Sequence, residues 1–144
     1  MVELQRRFPA KPQRISEIRR FVSDGCRKVW HESFDDSAIS QLELAVSEAT
    51  SNIILHGLDE PSNATIQLDL RVDSDQASVA LLYPGREFRP HTVPPPDFTG
   101  HAESGYGLYL MQQSVDEVDF SRDDTGLCTI RLTKNRRREH RSIP

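Results

Sequence analysis

Between Ala64 and Val72 the chain alternates cleanly, with Ile66, Leu68, Leu70 and Val72 on one side and Gln67, Asp69 and Arg71 on the other. A period of two marks a strand with one face buried and one face in water. The polar run Asp73-Ser74-Asp75-Gln76 follows, and then a second apolar stretch from Ala77 to Tyr83. Together they predict a hairpin of two strands. A sheet wet on one side must have its other side covered, which calls for amphipathic helices elsewhere in the chain.

Those helices are legible. Ile15, Ile18, Val22, Val29 and Trp30 recur at helical spacing from Arg14 to about Trp30, with Gly25 a tolerated weakness. Leu42, Ala45, Val46, Ala49 and Ile53 form the buried stripe of a second helix, which Asp35 or Asp36 would cap and Gly57 would end after His56. Gly105 to about Val115 reads as a third. Val2, Leu4 and Phe8 predict a short edge strand, stopped by Pro9 and Pro12. Glu117 to Phe120 and Leu127 to Thr133 predict a closing hairpin around Asp123-Asp124-Thr125-Gly126, with Cys128, Ile130 and Leu132 toward the core.

The stretch Gly85 to Ser104 carries Pro90, Pro94, Pro95, Pro96 and Gly100 and few apolar residues, so it reads as a long loop without regular structure. A loop of that length inside a compact domain usually has a task, often as a lid. The end, Lys134 to Pro144, is rich in arginine and reads as a solvated tail. The resulting expectation is an α/β two-layer sandwich, a mixed, mostly antiparallel sheet covered on one face by three helices. The domain would span residues 1–134, with a lid at about 86–104 and a flexible basic tail over 135–144.

At 144 residues, one domain with one site is expected. A net charge of −4 with 28% charged residues describes a soluble protein and does not point to nucleic acid. Met1 to Phe8 lacks the apolar core of a secretory signal, and no stretch approaches the length of a membrane span, so a cytoplasmic protein without membrane contact is expected. Cys26 and Cys128 match neither a redox nor a zinc spacing and read as buried thiols. The five histidines show no metal-binding spacing.

Function is suggested by Glu48-Ala49-Thr50-Ser51-Asn52. Residues four apart on a helix lie on one stripe, so a carboxylate and a carboxamide would face one ligand. About fifty residues later Gly105-Tyr106-Gly107-Leu108 opens a helix, where unpaired backbone N–H groups attract anions. A carboxamide for a metal, a carboxylate for a proton and amides for phosphate read as a nucleotide site. Taken singly, Glu48 and Asn52 are equally a polar helix face, and Gly105 and Gly107 equally a plain turn.

In order, Leu44 to His56 and Gly105 to Met111 resemble the N box and the glycine box of the GHKL ATPase superfamily, with its histidine-kinase-like ATPase fold. Within it, the short chain is similar to the anti-sigma-factor serine kinases of bacterial partner-switching systems, over most of its length. The resemblance implies ATP and Mg²⁺ as cofactors, with Asn52 as the Mg²⁺ ligand and Glu48 accepting the proton of an attacking serine hydroxyl. It places His56, Tyr83, Gly85, Gly105, Gly107 and Leu108 with Asn52 around the nucleotide. It also implies a sigma factor and an anti-sigma-antagonist protein as partners in transcription regulation and stress response, and it makes a homodimer plausible.

One position departs from the family. Where the family has Asp-x-Gly at the end of the central strand, its carboxylate bonding the adenine amino group, this chain reads Tyr83-Pro84-Gly85. Tyrosine can stack on a purine or donate to it, but it cannot accept as a carboxylate does. Loss of such a contact costs on the order of 1 to 3 kcal/mol. In phase with Val79 and Leu81, Tyr83 also reads as a core aromatic that closes the base pocket. The alternative is therefore a non-catalytic partner-switching module with a degenerate nucleotide site.

Overall fold

The computed structural model describes residues 1–31, 36–86 and 106–136. Asp35, the lid beyond Arg86, Gly105 and the tail from Arg137 onward lie outside the described residues.

The alternating segment forms β2, Thr65–Val72, and the next apolar stretch forms β3, Gln76–Pro84. They pair antiparallel, with Leu70 opposite Val79. Asp73 pins the turn between them, because its Oδ1 accepts the N–H groups of Asp75 at 2.7 Å and Gln76 at 2.9 Å. Those two bonds favour the ionised form and hold its carboxyl below the ordinary range. β1, Val2–Pro9, runs antiparallel along the outer side of β2 and is an edge strand. β5, Leu127–Asn135, pairs with β3 and carries β4, Glu117–Arg122, on its far side. The order is β1-β2-β3-β5-β4 and every pairing is antiparallel, which narrows the mostly antiparallel sheet expected above.

Helices α1, Ile15–Arg27, α2, Asp36–Asn52, and α3, Tyr106–Ser114, join the apolar face of this sheet in one continuous core. The two-layer sandwich is the one the patterning predicts. Ile18 and Val22 from α1, Leu42, Val46 and Ala49 from α2 and Met111 from α3 are fully buried with Ile66, Leu68, Val79 and Leu81. Burying each large aliphatic side chain contributes roughly 1.5–3 kcal/mol.

Several boundaries shift for physical reasons. α1 ends at Arg27, three residues before Trp30. The Trp30 N–H still caps the Cys26 carbonyl at 2.7 Å, while its indole Nε1 leaves the helix line to donate to the Asp73 carbonyl at 2.8 Å. Gly25 is no weakness, since a Cβ there would overlap Leu70 Cδ2, so glycine sets how closely α1 approaches the sheet. The last turn read as α-helix before Gly57 is instead a π-helical turn, Ile53–Gly57.

The solvated tail also begins later than expected. Lys134 is 1% exposed on the core-facing row of β5 with Cys128, Ile130 and Leu132. Asn135 still belongs to β5, and Arg136 donates its N–H to Asp75 O at 2.8 Å. Strand pairing with β3 overrides the polar composition here. Cys26 and Cys128 are both buried and neither forms a disulfide, and burial pushes the Cys26 thiol up to about 12, so at neutral pH it is protonated and inert.

Among the described residues, the fully buried Thr50 finds no hydrogen-bond partner for its Oγ1. Thr50→Val keeps the shape and removes the orphaned hydroxyl, so it should raise stability by about 1 kcal/mol in urea unfolding; a loss would mean that the hydroxyl has a partner such as a buried water. Gly25→Leu should lower stability by about 1–3 kcal/mol in the same assay through overpacking against Leu70, and an unchanged midpoint would contradict the close helix–sheet approach.

Candidate functional site

α2 serves the core and the site from different faces. Its stripe Leu42, Ala45, Val46, Ala49 and Ile53 is buried, while Glu48 and Asn52 are half-buried beside it. The i, i+4 spacing stacks these two polar side chains one turn apart. α3 then packs along α2, and Gly107 in its first turn lies against the polar edge of α2. A Cβ at Gly107 would stand 3.0 Å from Glu48 Oε2, 3.7 Å from Asn52 Oδ1 and 4.0 Å from Asn52 Nδ2. Any larger residue would press on the carboxylate. Glycine thus leaves the two side chains next to bare backbone at the start of a helix, where N–H groups have no intrahelical partner.

The second cluster lies at the other end of the π-helical turn. Leu58 bridges antiparallel to Gly85, and Arg86 N–H donates to the Gly57 carbonyl at 2.7 Å. A Cβ on Gly85 would overlap that Gly57 oxygen, so only glycine permits this crossing. A Cβ on Gly57 would stand 3.0 Å from Tyr83 Cε2. The missing side chain at Gly57 makes room for the tyrosine ring, which is 2% exposed and donates its hydroxyl to Arg86 O at 3.2 Å. Tyr83 is a core aromatic, in phase with Val79 and Leu81.

The residues singled out from the sequence therefore fall into two groups. Glu48, Asn52 and Gly107 come together at the α2–α3 seam, with the half-buried Leu108 next in α3. Tyr83 and Gly85 meet Gly57 at the end of the π-helical turn. His56 lies in that turn and is exposed, and no contact described among these residues joins it to Glu48. Gly105 lies outside the described residues. Gly57, read from the sequence only as a helix stop, and Arg122, which carried no signal at all, both contact the second group; Arg122 Nε donates to Gly85 O at 3.2 Å.

The donor set bears on which ion would fit. Among the described residues no three His, Cys, Asp or Glu side chains gather into a metal cage. A single carboxamide oxygen beside a carboxylate suits a hard cation that takes its remaining ligands from phosphate and water, as Mg²⁺ does. A groove of about 670 Å³ between β1 and α1 is lined by Leu4, Arg6, Glu17, Phe21 and their neighbours. Arg6 and Glu17 pair within it at 2.5 Å, and none of the site side chains above lines it.

Comparison with known proteins bears on the family of the chain. The family profile described as Histidine kinase-like ATPase domain matches residues 8–134. The serine-protein kinase RsbW of Bacillus licheniformis is 31% identical over 144 residues, covering 94% of this chain and 87% of that protein. Serine-protein kinase RsbW of Bacillus subtilis (strain 168) is 29% identical over 124 residues, covering 80% and 75%. Of solved structures, the mycobacterial sensor histidine kinase MprB matches with a TM-score of 0.48 at 15% identity, over 94% of this chain and 99% of that one. No helix among the described residues is long and apolar enough to cross a membrane. With one domain profile over most of its length and a relative above 30% identity, the chain belongs to the histidine kinase-like (GHKL) ATPase superfamily and, within it, to the family of anti-sigma-factor serine kinases.

Proposed function

We propose that this protein is an ATP- and Mg²⁺-dependent protein serine kinase that phosphorylates an anti-sigma-antagonist protein and holds a sigma factor, or an equivalent regulator, by partner switching. The observation that carries the reading is the seam itself, where Gly107 backbone lies within 4.0 Å, measured from its would-be Cβ, of both Glu48 and Asn52. Bare helix-terminal backbone, one carboxamide and one carboxylate are the parts that phosphoryl transfer needs. The serine-protein kinase relatives support the chemistry. On this reading the kinase domain spans residues 1–134, and the protein works in the cytoplasm.

Each side chain then has one task. Asn52 Oδ1 would hold Mg²⁺, which when bound neutralises phosphate charge. Gly107, with Leu108 and Gly105, would present backbone to the phosphates, and Gly85 would pass the chain beside the nucleotide. Glu48 would accept the serine hydroxyl proton as the serine oxygen bonds to the terminal phosphorus and the bridging P–O bond breaks, leaving ADP and a phosphoserine. Half-burial at the seam suits this role, because a carboxylate screened from bulk water interacts more strongly with a proton donor in reach. His56, exposed in the π-helical turn, has the least support as a phosphate contact and is equally an end-of-helix residue.

A second reading rests on Tyr83. Its ring is buried against Gly57 and its hydroxyl proton is committed to Arg86 O, so it offers a purine no carboxylate acceptor. A protein that keeps the fold and its partner surfaces but binds nucleotide weakly would be a non-catalytic partner-switching module.

Titration calorimetry with Mg-ATP separates the readings: saturable, Mg²⁺-dependent binding is expected of the kinase, and its absence in the parent favours the module. Mixed with Mg-ATP and its cognate antagonist, the protein should label a serine on that antagonist. Glu48→Gln should slow labelling by about 10²–10⁴-fold while nucleotide still binds, and labelling at the parental rate would remove Glu48 from the chemistry. Asn52→Ala should abolish the Mg²⁺ dependence of nucleotide binding, and a retained dependence would place the metal elsewhere.

A further inference from the structure

β4 ends at Arg122, on the strand farthest from β1, yet its guanidinium reaches back across the sheet end to the chain leaving β3. Nε donates to Gly85 O at 3.2 Å, while Gly126 lies close to the same guanidinium, its would-be Cβ 3.2 Å from Nη2. Gly126 has a φ of 91°, a conformation open to glycine, and it adds the second restraint by accepting the Gly85 N–H at 3.3 Å. The turn carrying it is itself pinned. Asp123 Oδ1 accepts Thr125 Oγ1 at 2.6 Å, Thr125 N–H at 2.9 Å and Leu127 N–H at 3.0 Å.

Both backbone polar groups of Gly85 are thus held from the β4–β5 hairpin, and both of Arg86 from elsewhere, its N–H by Gly57 O and its carbonyl by the Tyr83 hydroxyl. Gly57 closes the π-helical turn that begins immediately after Asn52. A π-helical turn holds one residue more than an α-helical turn, so its register depends on whatever fixes its far end. Here that end is Gly57 and Leu58 against Gly85.

We infer that Arg122 is a positioning residue for the nucleotide site, acting through Gly85 and Gly57 to hold the register of the turn that follows Asn52. It touches neither Glu48 nor Asn52 among the contacts described, and its effect passes from Gly85 through the Arg86 N–H to Gly57 and along the turn to Asn52. The inference rests on the nucleotide reading above and adds to it a residue from the opposite edge of the sheet.

Two measurements on the full chain test it. Amide hydrogen exchange should quicken several-fold at Gly85 and Arg86 in Arg122→Met and stay unchanged along β1 and β2. Calorimetry with Mg-ATP should show affinity lowered about three- to tenfold in Arg122→Met, the scale of one lost hydrogen bond, and largely restored in Arg122→Lys, which returns a donor. Arg122 is exposed, so both variants should fold. Unchanged exchange at Gly85, or an Mg-ATP affinity within twofold of a parent that binds, overturns the inference while leaving the nucleotide reading intact. A parent that does not bind Mg-ATP sinks the nucleotide reading, and the role of Arg122 in it, together.

Discussion

The close approach of α3 to α2 at Gly107 is the constraint on which the site depends. A single missing Cβ lets the backbone of one helix lie against the polar edge of another, 3.0 Å from the Glu48 carboxylate as measured from the absent atom. Helix backbones reach such distances only where side chains are small, because interaxial spacing follows the residues at the contact. The carboxylate is half-buried at a seam rather than waving in water. Its placement is set by the apolar stripe one step around the helix, since Leu42, Val46, Ala49 and Ile53 lock α2 in rotation over the sheet. Core packing, worth a few kcal/mol per side chain, therefore orients the helix face that carries the polar pair.

Glycine recurs at three further places where two elements meet closely, with a different reason each time. Gly25 lets α1 settle on Leu70, Gly57 makes room for the Tyr83 ring, and Gly85 passes beneath the Gly57 carbonyl. The last two are mutually dependent. The tyrosine fills the space that Gly57 leaves, and its hydroxyl ties down Arg86, whose N–H bonds back to Gly57. A tyrosine at position 83 is thus a structural part of the crossing. A substitution aimed at its chemistry also removes one of the largest buried side chains, so binding and stability must be measured side by side for any variant there.

Much of this was legible in the residues, and the gaps have physical causes. Period two in Thr65–Val72 and the helical stripe of α2 reported the sheet and its cover, because both patterns follow directly from which face is buried. The pair Glu48 and Asn52 was legible because the i, i+4 rule needs no tertiary information. Lys134 was misread because composition marks a basic tail, whereas pairing of β5 with β3 carries the strand through Asn135. The π-helical turn was invisible because nothing in Ile53-Ile54-Leu55-His56-Gly57 distinguishes it from a last α-turn. Its shape answers to Gly85, twenty-eight residues away in sequence and adjacent only in the fold. Arg122 escaped for the same reason.

The two clusters differ in how much freedom the fold leaves them. At the α2–α3 seam the polar groups are half-buried side chains, and no hydrogen bond among the described residues fixes them. At the end of β3 the backbone groups of Gly85 and Arg86 are already bonded and the tyrosine is enclosed. A ligand spanning both would gain charge-assisted bonds at the first, which are roughly twice as strong as neutral ones, and would meet a preformed wall at the second. On the nucleotide reading, affinity then comes chiefly from the phosphate end, while the β3 end contributes shape. Shape alone discriminates weakly between bases, because specificity of many decades requires buried polar groups that the wrong ligand would leave unpaired. On that same reading, a tyrosine at position 83 would bear first on which base is preferred, and only second on whether phosphates are held at all.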